Sequence, residues 1–271
     1  MPPSLETCGI CQSRALGYLF DSYGFSIYEC QSCGVVQSAI DHDRAIEQYQ
    51  SLKYYKSTGF YDRPQAFAKM FDSILKHLER YVQAPRLLDV GCGFGGLVMA
   101  ANQRGWDAEG IELSSVAAKH CVTLGLKVQQ GTLSGLQFPE ASFKAVVMNH
   151  VLEHVIDPRA ELTEVHRILK PDTGIVFISV PNFGGLLSQI QNGRWWHLMP
   201  HAHLWHFKMG TIKPILEEIG FEIVETYTRS VEGWDQVKGS PKQLAMTAII
   251  KFADLIDRGN YLNILARRLS R

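Results

Sequence analysis

The stretch Leu87 to Leu97, "LLDVGCGFGGL", restricts what this chain can fold into more than any other. A buried-strand pattern runs straight into glycines, and "GLVMAANQRG" then continues as a helix. Gly91, Gly93 and Gly96 satisfy G-x-G-x-x-G between the two. Such a turn lets a nucleotide-type ligand lie against bare backbone at a helix N-terminus. The alternation then repeats. "DAEGIELS", "LKVQQGT", "FKAVVMN" and "GIVFISVPN" read as strands, and "SVAAKHCVTLG" and "TIKPILEEIG" as helices. Asp157-Pro158 caps and opens another helix, whose Leu162, Val165 and Leu169 share a face. "FEIVETYTRS" and "YLNILARRL" are the last strands, with the amphipathic "PKQLAMTAIIKFADLI" between them. Upstream, Phe67, Met70, Phe71, Ile74, Leu75 and Leu78 predict a helix that Pro64 opens and that ends near Val82. The expectation is an α/β fold: a Rossmann-like, seven-stranded, mostly parallel sheet with helices on both faces.

The first residues read differently. Cys8, Cys11, Cys30 and Cys33 form C-x2-C-x18-C-x2-C, a spacing suited to a zinc ribbon or a related four-thiolate site. A core this small needs the folding free energy of a bound ion. Four thiolates leave no open position, so structural Zn2+ is expected. The alternative, two disulfides, is disfavoured in a reducing compartment. Cys92 and Cys121 lie elsewhere and read as unpaired. The chain divides into a metal module at 1–38, a polar, Tyr-rich connector with a short helix at 39–63, and a main domain at 64–271.

Charge and hydropathy exclude several partners. Lys plus Arg equals Asp plus Glu, 27 each, so no basic excess calls for nucleic acid or an anionic membrane. In residues 1–38 Arg14 is the only basic side chain, against Glu6, Asp21 and Glu29, and such a module should repel phosphates. No apolar run reaches the roughly 18 residues of a membrane span. "MPPSLETCGI" shows no secretory signal, so a cytoplasmic location is expected.

Glu112 ends the second main-domain strand, 21 residues past Gly91, where a carboxylate can accept hydrogen bonds from ribose hydroxyls. NAD and S-adenosylmethionine (SAM) both use this architecture. Asp89, two residues before the first glycine, suits a sulfonium and an ammonium and would repel a pyrophosphate. Taken in order, "LLDVGCGFGG", "GIELS", "FKAVVMNHVLEHVIDP" and "VPNFGGL" resemble a class I SAM-dependent methyltransferase, in a subgroup that often carries an N-terminal zinc module. The resemblance covers about residues 65 to 268 and implies an antiparallel hairpin at the end of the sheet. It assigns Asp89, Gly91, Gly93 and Gly95 to the first SAM motif and Glu112 to the ribose, with Leu113 also among the cofactor-binding residues. Thr132 and Leu133 fall where the adenine is held, although the family often has Asp in place of Thr132. Asn149 and His150 fall beside the methionine moiety and the departing methyl group.

"HVLEH", residues 150–154, also matches the H-x-x-E-H pattern of a zinc peptidase. Asp157-Pro158 restarts the helix too soon after it for the sustained helix such a site needs. His150 is therefore read as an active-site residue, with Glu153 and His154 as supports for neighbouring loops. "RWWHLMPHAHLWHFK", residues 194–208, follows the fifth main-domain strand, where an acceptor lid is expected. It offers His203 as a second base, and His201-x-His203 as a spacing that can ligate a metal. The resemblance points to a small-molecule or saccharide acceptor, with O-methylation favoured by the histidines. A nucleic-acid methyltransferase docking through its zinc module and a non-catalytic SAM-binding scaffold are the alternatives.

Overall fold

A computed structural model describes residues 5–40, 68–83, 85–230 and 241–270. Most of the expected connector, together with Pro64 and Phe67, lies outside them. Three strands open the fold: β1 (Leu16–Ser22), β2 (Phe25–Cys30) and β3 (Val36–Ser38). The main domain follows with α1 (Ala68–Leu78), β4 (Arg86–Val90), α2 (Gly96–Gln103), β5 (Asp107–Glu112), α3 (Ser115–Thr123), β6 (Val128–Gln130) and the short α4 (Leu133–Leu136). It continues through β7 (Ala145–Asn149), α5 (Pro158–Ile168), β8 (Ile175–Pro181), α6 (Leu186–Gln191) and β9 (Trp205–His206). The last elements are α7 (Met209–Ile219), β10 (Phe221–Arg229), α8 (Pro241–Leu255) and β11 (Tyr261–Arg268).

The large sheet has seven strands in the order β10-β11-β8-β7-β4-β5-β6. Pairs among β8, β7, β4, β5 and β6 are parallel, and β11 is antiparallel to both β8 and β10. Apolar runs fit the centre: all seven residues of β8 are buried, as are Ala145 to Met148 of β7. Covered on both faces, such strands read as continuous hydrophobic sequence. Asp157 caps α5 by accepting from the Ala160 N–H, and Pro158 occupies the first turn. From β4 the chain winds outward to β5 and β6, then returns to β7 on the other side of β4. Ligands bind at such a switch point, outside the carboxyl ends of the strands.

The module is not a separate bead. Its three strands form a second sheet, and its fourth strand is β9, from the segment expected to form a lid. Val36 pairs with His206 and Gln37 with Trp205. Trp205 lies over Gly9, where an added Cβ would come 2.5 Å from the indole. The indole N–H donates to the Val155 carbonyl at 2.7 Å, and Lys208 pairs with Glu29 at 2.8 Å. One apolar core holds Ile10 and Val35 of the module together with Val90, Met148 and Leu204 of the main domain. Sequence patterning could not reveal this pairing, because a two-residue strand has no measurable period.

Candidate functional site

The site begins where β4 ends. Gly91 adopts φ 67°, and a Cβ there would come 2.8 Å from Val151 Cγ2. A side chain at this position is therefore barred both by backbone conformation and by the loop after β7. Gly95 (φ 76°) is the N-cap of α2, and its missing side chain leaves room for Leu126 and Cys121. The turn is also tied to its neighbours. Glu112, buried at the end of β5, accepts from the Gly93 N–H at 2.9 Å and the Ser114 N–H at 2.7 Å. The Cys121 thiol donates to the Gly93 carbonyl at 3.4 Å.

Asp89 is 4% exposed, and burial, with Glu112 nearby, raises its carboxyl well above the usual carboxylate range. A buried acid behind a bare glycine turn suits a ligand that brings its own positive charge. Leu113 follows Glu112 directly. Thr132 caps α4, accepting from the Gly135 N–H at 3.2 Å, and Leu133 beside it is fully buried. These residues and Asn149 lie at or just beyond the carboxyl ends of β4 to β7.

The loop after β7 carries the other half. His150 takes φ 57°, an uncommon conformation for a residue with a side chain, and its N–H donates to the Ser179 carbonyl of β8 at 2.9 Å. Its Nδ1 lies 3.1 Å from Glu153 Oε1, and its ring meets Tyr261 edge-on at 4.7 Å. Glu153 is fully buried, and its backbone carbonyl accepts from the Leu204 and Trp205 N–H groups. His154 donates through Nδ1 to the Ala202 carbonyl at 3.1 Å, and its ring lies 4.7 Å from that of His203. His203 in turn donates through Nδ1 to the His197 carbonyl at 2.9 Å and is 5% exposed. His206 shares a 2.8 Å hydrogen bond with Ser38 of the module. Burial lowers the pKa of His197 to about 4, and those of His154 and His206 to about 3. Tyr261, from the last strand, also reaches His197 Nδ1 at 3.3 Å and had no signal in the sequence.

Among the described residues, two groupings of side chains could hold a metal ion. In the module, Cys8 and Cys33 sulfurs lie 3.7 Å apart, and those of Cys11 and Cys30 lie 3.5 Å apart. Four thiolates at about 2.3 Å from a tetrahedral Zn2+ stand about 3.8 Å from one another. A disulfide would need about 2.05 Å, so the residues fit an ion. The second grouping is Glu153, His154 and His203, with His201 outside it. Cys92 and Cys121 are free and buried.

Solved structures share this fold: a SAM-dependent methyltransferase from Archaeoglobus fulgidus aligns with TM-score 0.60 at 20% identity, covering 79% of this chain and all of that one. In sequence, the ubiquinone biosynthesis O-methyltransferase of Pseudomonas aeruginosa is 36% identical over 104 residues, 36% of this chain and 44% of the relative. That of Alkalilimnicola ehrlichii is 34% identical over 148 residues, 49% of this chain and 60% of the relative. The chain thus spans about half the length of the curated relatives it matches. A family model described as a methyltransferase domain matches residues 61–226, more than half of the chain. With the sheet order and the glycine turn in place, the chain belongs to the methyltransferase-domain family.

Proposed function

We propose that this chain transfers a methyl group from SAM to a hydroxyl of a small-molecule or saccharide acceptor. One observation carries the reading: His150, held by Glu153, stands in the loop whose Val151 closes on the glycine turn. When bound, SAM supplies a methyl group already activated by its sulfonium. Asp89, Gly91, Gly93 and Gly95 hold the methionine part in this reading, and Glu112 with Leu113 holds the ribose. Thr132 and Leu133 border the adenine, and Asn149 and His150 border the reacting end. Glu153 accepts from His150 Nδ1–H, which leaves Nε2 as the ring's base, able to take a proton from an acceptor hydroxyl. His203, the other base read from the sequence, is buried against His154, so we assign proton removal to His150 alone.

The Pseudomonas and Alkalilimnicola relatives, known as ubiquinone biosynthesis O-methyltransferases, support O-methylation of a small molecule. The scarcity of basic side chains in residues 1–38 argues against a nucleic-acid acceptor. The domain division at 38 and 63 belongs to this proposal. So does structural Zn2+ on Cys8, Cys11, Cys30 and Cys33. Free thiols in a metal-ready arrangement suit a reducing compartment such as the cytoplasm. Incubation with methyl-labelled SAM and panels of sugar nucleotides, catechols and RNA tests the reading. Label on a hydroxyl of a small molecule is expected, and label on RNA alone would overturn it.

A further inference from the structure

One rung of the large sheet turns polar where the rung beside it is apolar. On the face packed against Phe71, Ile74 and Leu75 of α1, Val147, Phe177 and Leu265 stand in register on β7, β8 and β11, all buried. Side chains two apart on a strand share a face. Two residues nearer the carboxyl ends of β7 and β8, the same three strands therefore present Asn149, Ser179 and Asn263, again in register. Tyr227 of β10 pairs with Asn263 at the far end of this row. At the near end Val90 pairs with Met148, which brings Gly91 of the glycine turn level with Asn149. We propose that Ser179 and Asn263 are the residues that read the methyl acceptor, and that the acceptor is an uncharged molecule with several hydroxyl groups, such as a sugar ring. This rests on the methyl-transfer reading above and narrows its acceptor class.

The row is polar without internal partners. Ser179 is 3% exposed and Asn263 is 7% exposed. The Asn263 amide donates to the Tyr227 carbonyl at 3.4 Å. Among the described residues, the Ser179 hydroxyl and the Asn263 side-chain oxygen have no hydrogen-bond partner. Buried polar groups left unmatched cost free energy, and an apolar side chain at either position would avoid that cost. Neither atom is among the unpartnered ones sealed from solvent, so both keep a path outward for a ligand. The row also adjoins the proposed base. The Ser179 carbonyl accepts from the His150 N–H at 2.9 Å. Tyr261, on the same face as Asn263, meets the His150 ring edge-on at 4.7 Å. A molecule held by one hydroxyl at Ser179 or Asn263 can therefore offer another to His150.

The side chains name the class of acceptor. A serine hydroxyl and a carboxamide each donate and accept, and so does an alcohol. Asn149, Ser179, Asn263 and Tyr227 include no lysine, arginine or carboxylate, so a phosphate or carboxylate group would find no countercharge on the rung. An apolar ring would leave both polar side chains unmatched, which a site of this kind discriminates against.

Calorimetry of the full chain saturated with S-adenosylhomocysteine tests this without turnover. Methyl hexosides are titrated in one series and catechol in another. At least one hexoside should bind, more tightly than catechol. Ser179→Ala and Asn263→Leu should each weaken that binding by about 10-fold, the effect of losing one hydrogen bond to a buried group, with the affinity for S-adenosylhomocysteine held. The melting temperature of Ser179→Ala should not fall, because the hydroxyl it removes has no partner in the free chain. Should Asn263→Leu fail to fold by circular dichroism, Asn263→Ala replaces it. Absence of heat from every hexoside, or a hexoside bound no more tightly than catechol, would overturn the proposal. So would hexoside binding unchanged by either variant, above all if Ser179→Ala lowered the melting temperature, which marks a structural hydroxyl. Failure of S-adenosylhomocysteine to bind would instead count against the methyl-transfer reading, and the same hexoside titrations of the free chain would still test the rung.

Discussion

The glycine turn and the histidine layer lie at the same edge of one sheet but are built in opposite ways. The turn comes from one contiguous run, Asp89 to Gly96, completed by Glu112 of the next strand. The histidine layer gathers Ser38 of the module, His150 to His154, His197 to His206, and Tyr261 of the last strand. A ligand cradle made of backbone tolerates change elsewhere. An array of side chains from four distant segments depends on every docking contact beneath it. The donor side is therefore expected to be robust and local, and the acceptor side to answer to the module.

Substitutions can break or sharpen that contrast. His150→Ala should lower kcat by about 10² to 10⁴, the usual span for losing a general base, with SAM affinity held. Equal loss of SAM binding in calorimetry would mean that the two halves are not separable. Trp205→Ala removes the indole that bridges Gly9 and Val155. Urea unfolding should show a loss of about 3–5 kcal/mol, as for other buried Trp truncations, with acceptor KM raised more than SAM Kd. Gly91→Val confines its effect to the turn. Positive φ and the contact with Val151 put a strain of about 1–3 kcal/mol on the folded turn, so the melting temperature should fall by several degrees, and SAM binding should weaken as the turn relaxes out of shape.

The smallest effect is a pH dependence. Burial raises the Asp89 carboxyl, so the free chain holds a proton there that an unfolded chain would have lost. A cationic ligand favours the carboxylate. SAM binding should therefore tighten as pH rises through the Asp89 titration and release a proton below it. Calorimetry at pH 5 in two buffers of different ionisation heat measures that proton. By the same sign, the contribution of Asp89 to folding stability falls as pH rises through that range.

The glycine turn was legible because a strand-turn-helix unit needs particular residues at short spacing. Asp89, the glycines and Glu112 stand where the strand-turn-helix pattern puts them, and the elements of the main domain follow the apolar periodicity. The histidine layer was legible only in part. HVLEH and the His-rich segment were visible as motifs, but not that Glu153 and His154 meet His203 while His201 stays outside the group. Nor could spacing show that Trp205 and His206 add a strand to the module, or that Tyr261, over a hundred residues past His150, lies against its ring. Those are contacts of tertiary packing, with no local period to announce them. Within the segment expected as a lid, Trp195, Leu198 and Ala202 are buried and Trp196 is exposed.

A glycine turn backed by Asp89 should receive the cationic nucleoside SAM and reject a pyrophosphate. Calorimetric titration of the unmodified chain with SAM and, separately, with NAD tests it most directly. One SAM per chain and no heat from NAD is the expected result; binding of NAD with none of SAM would contradict it.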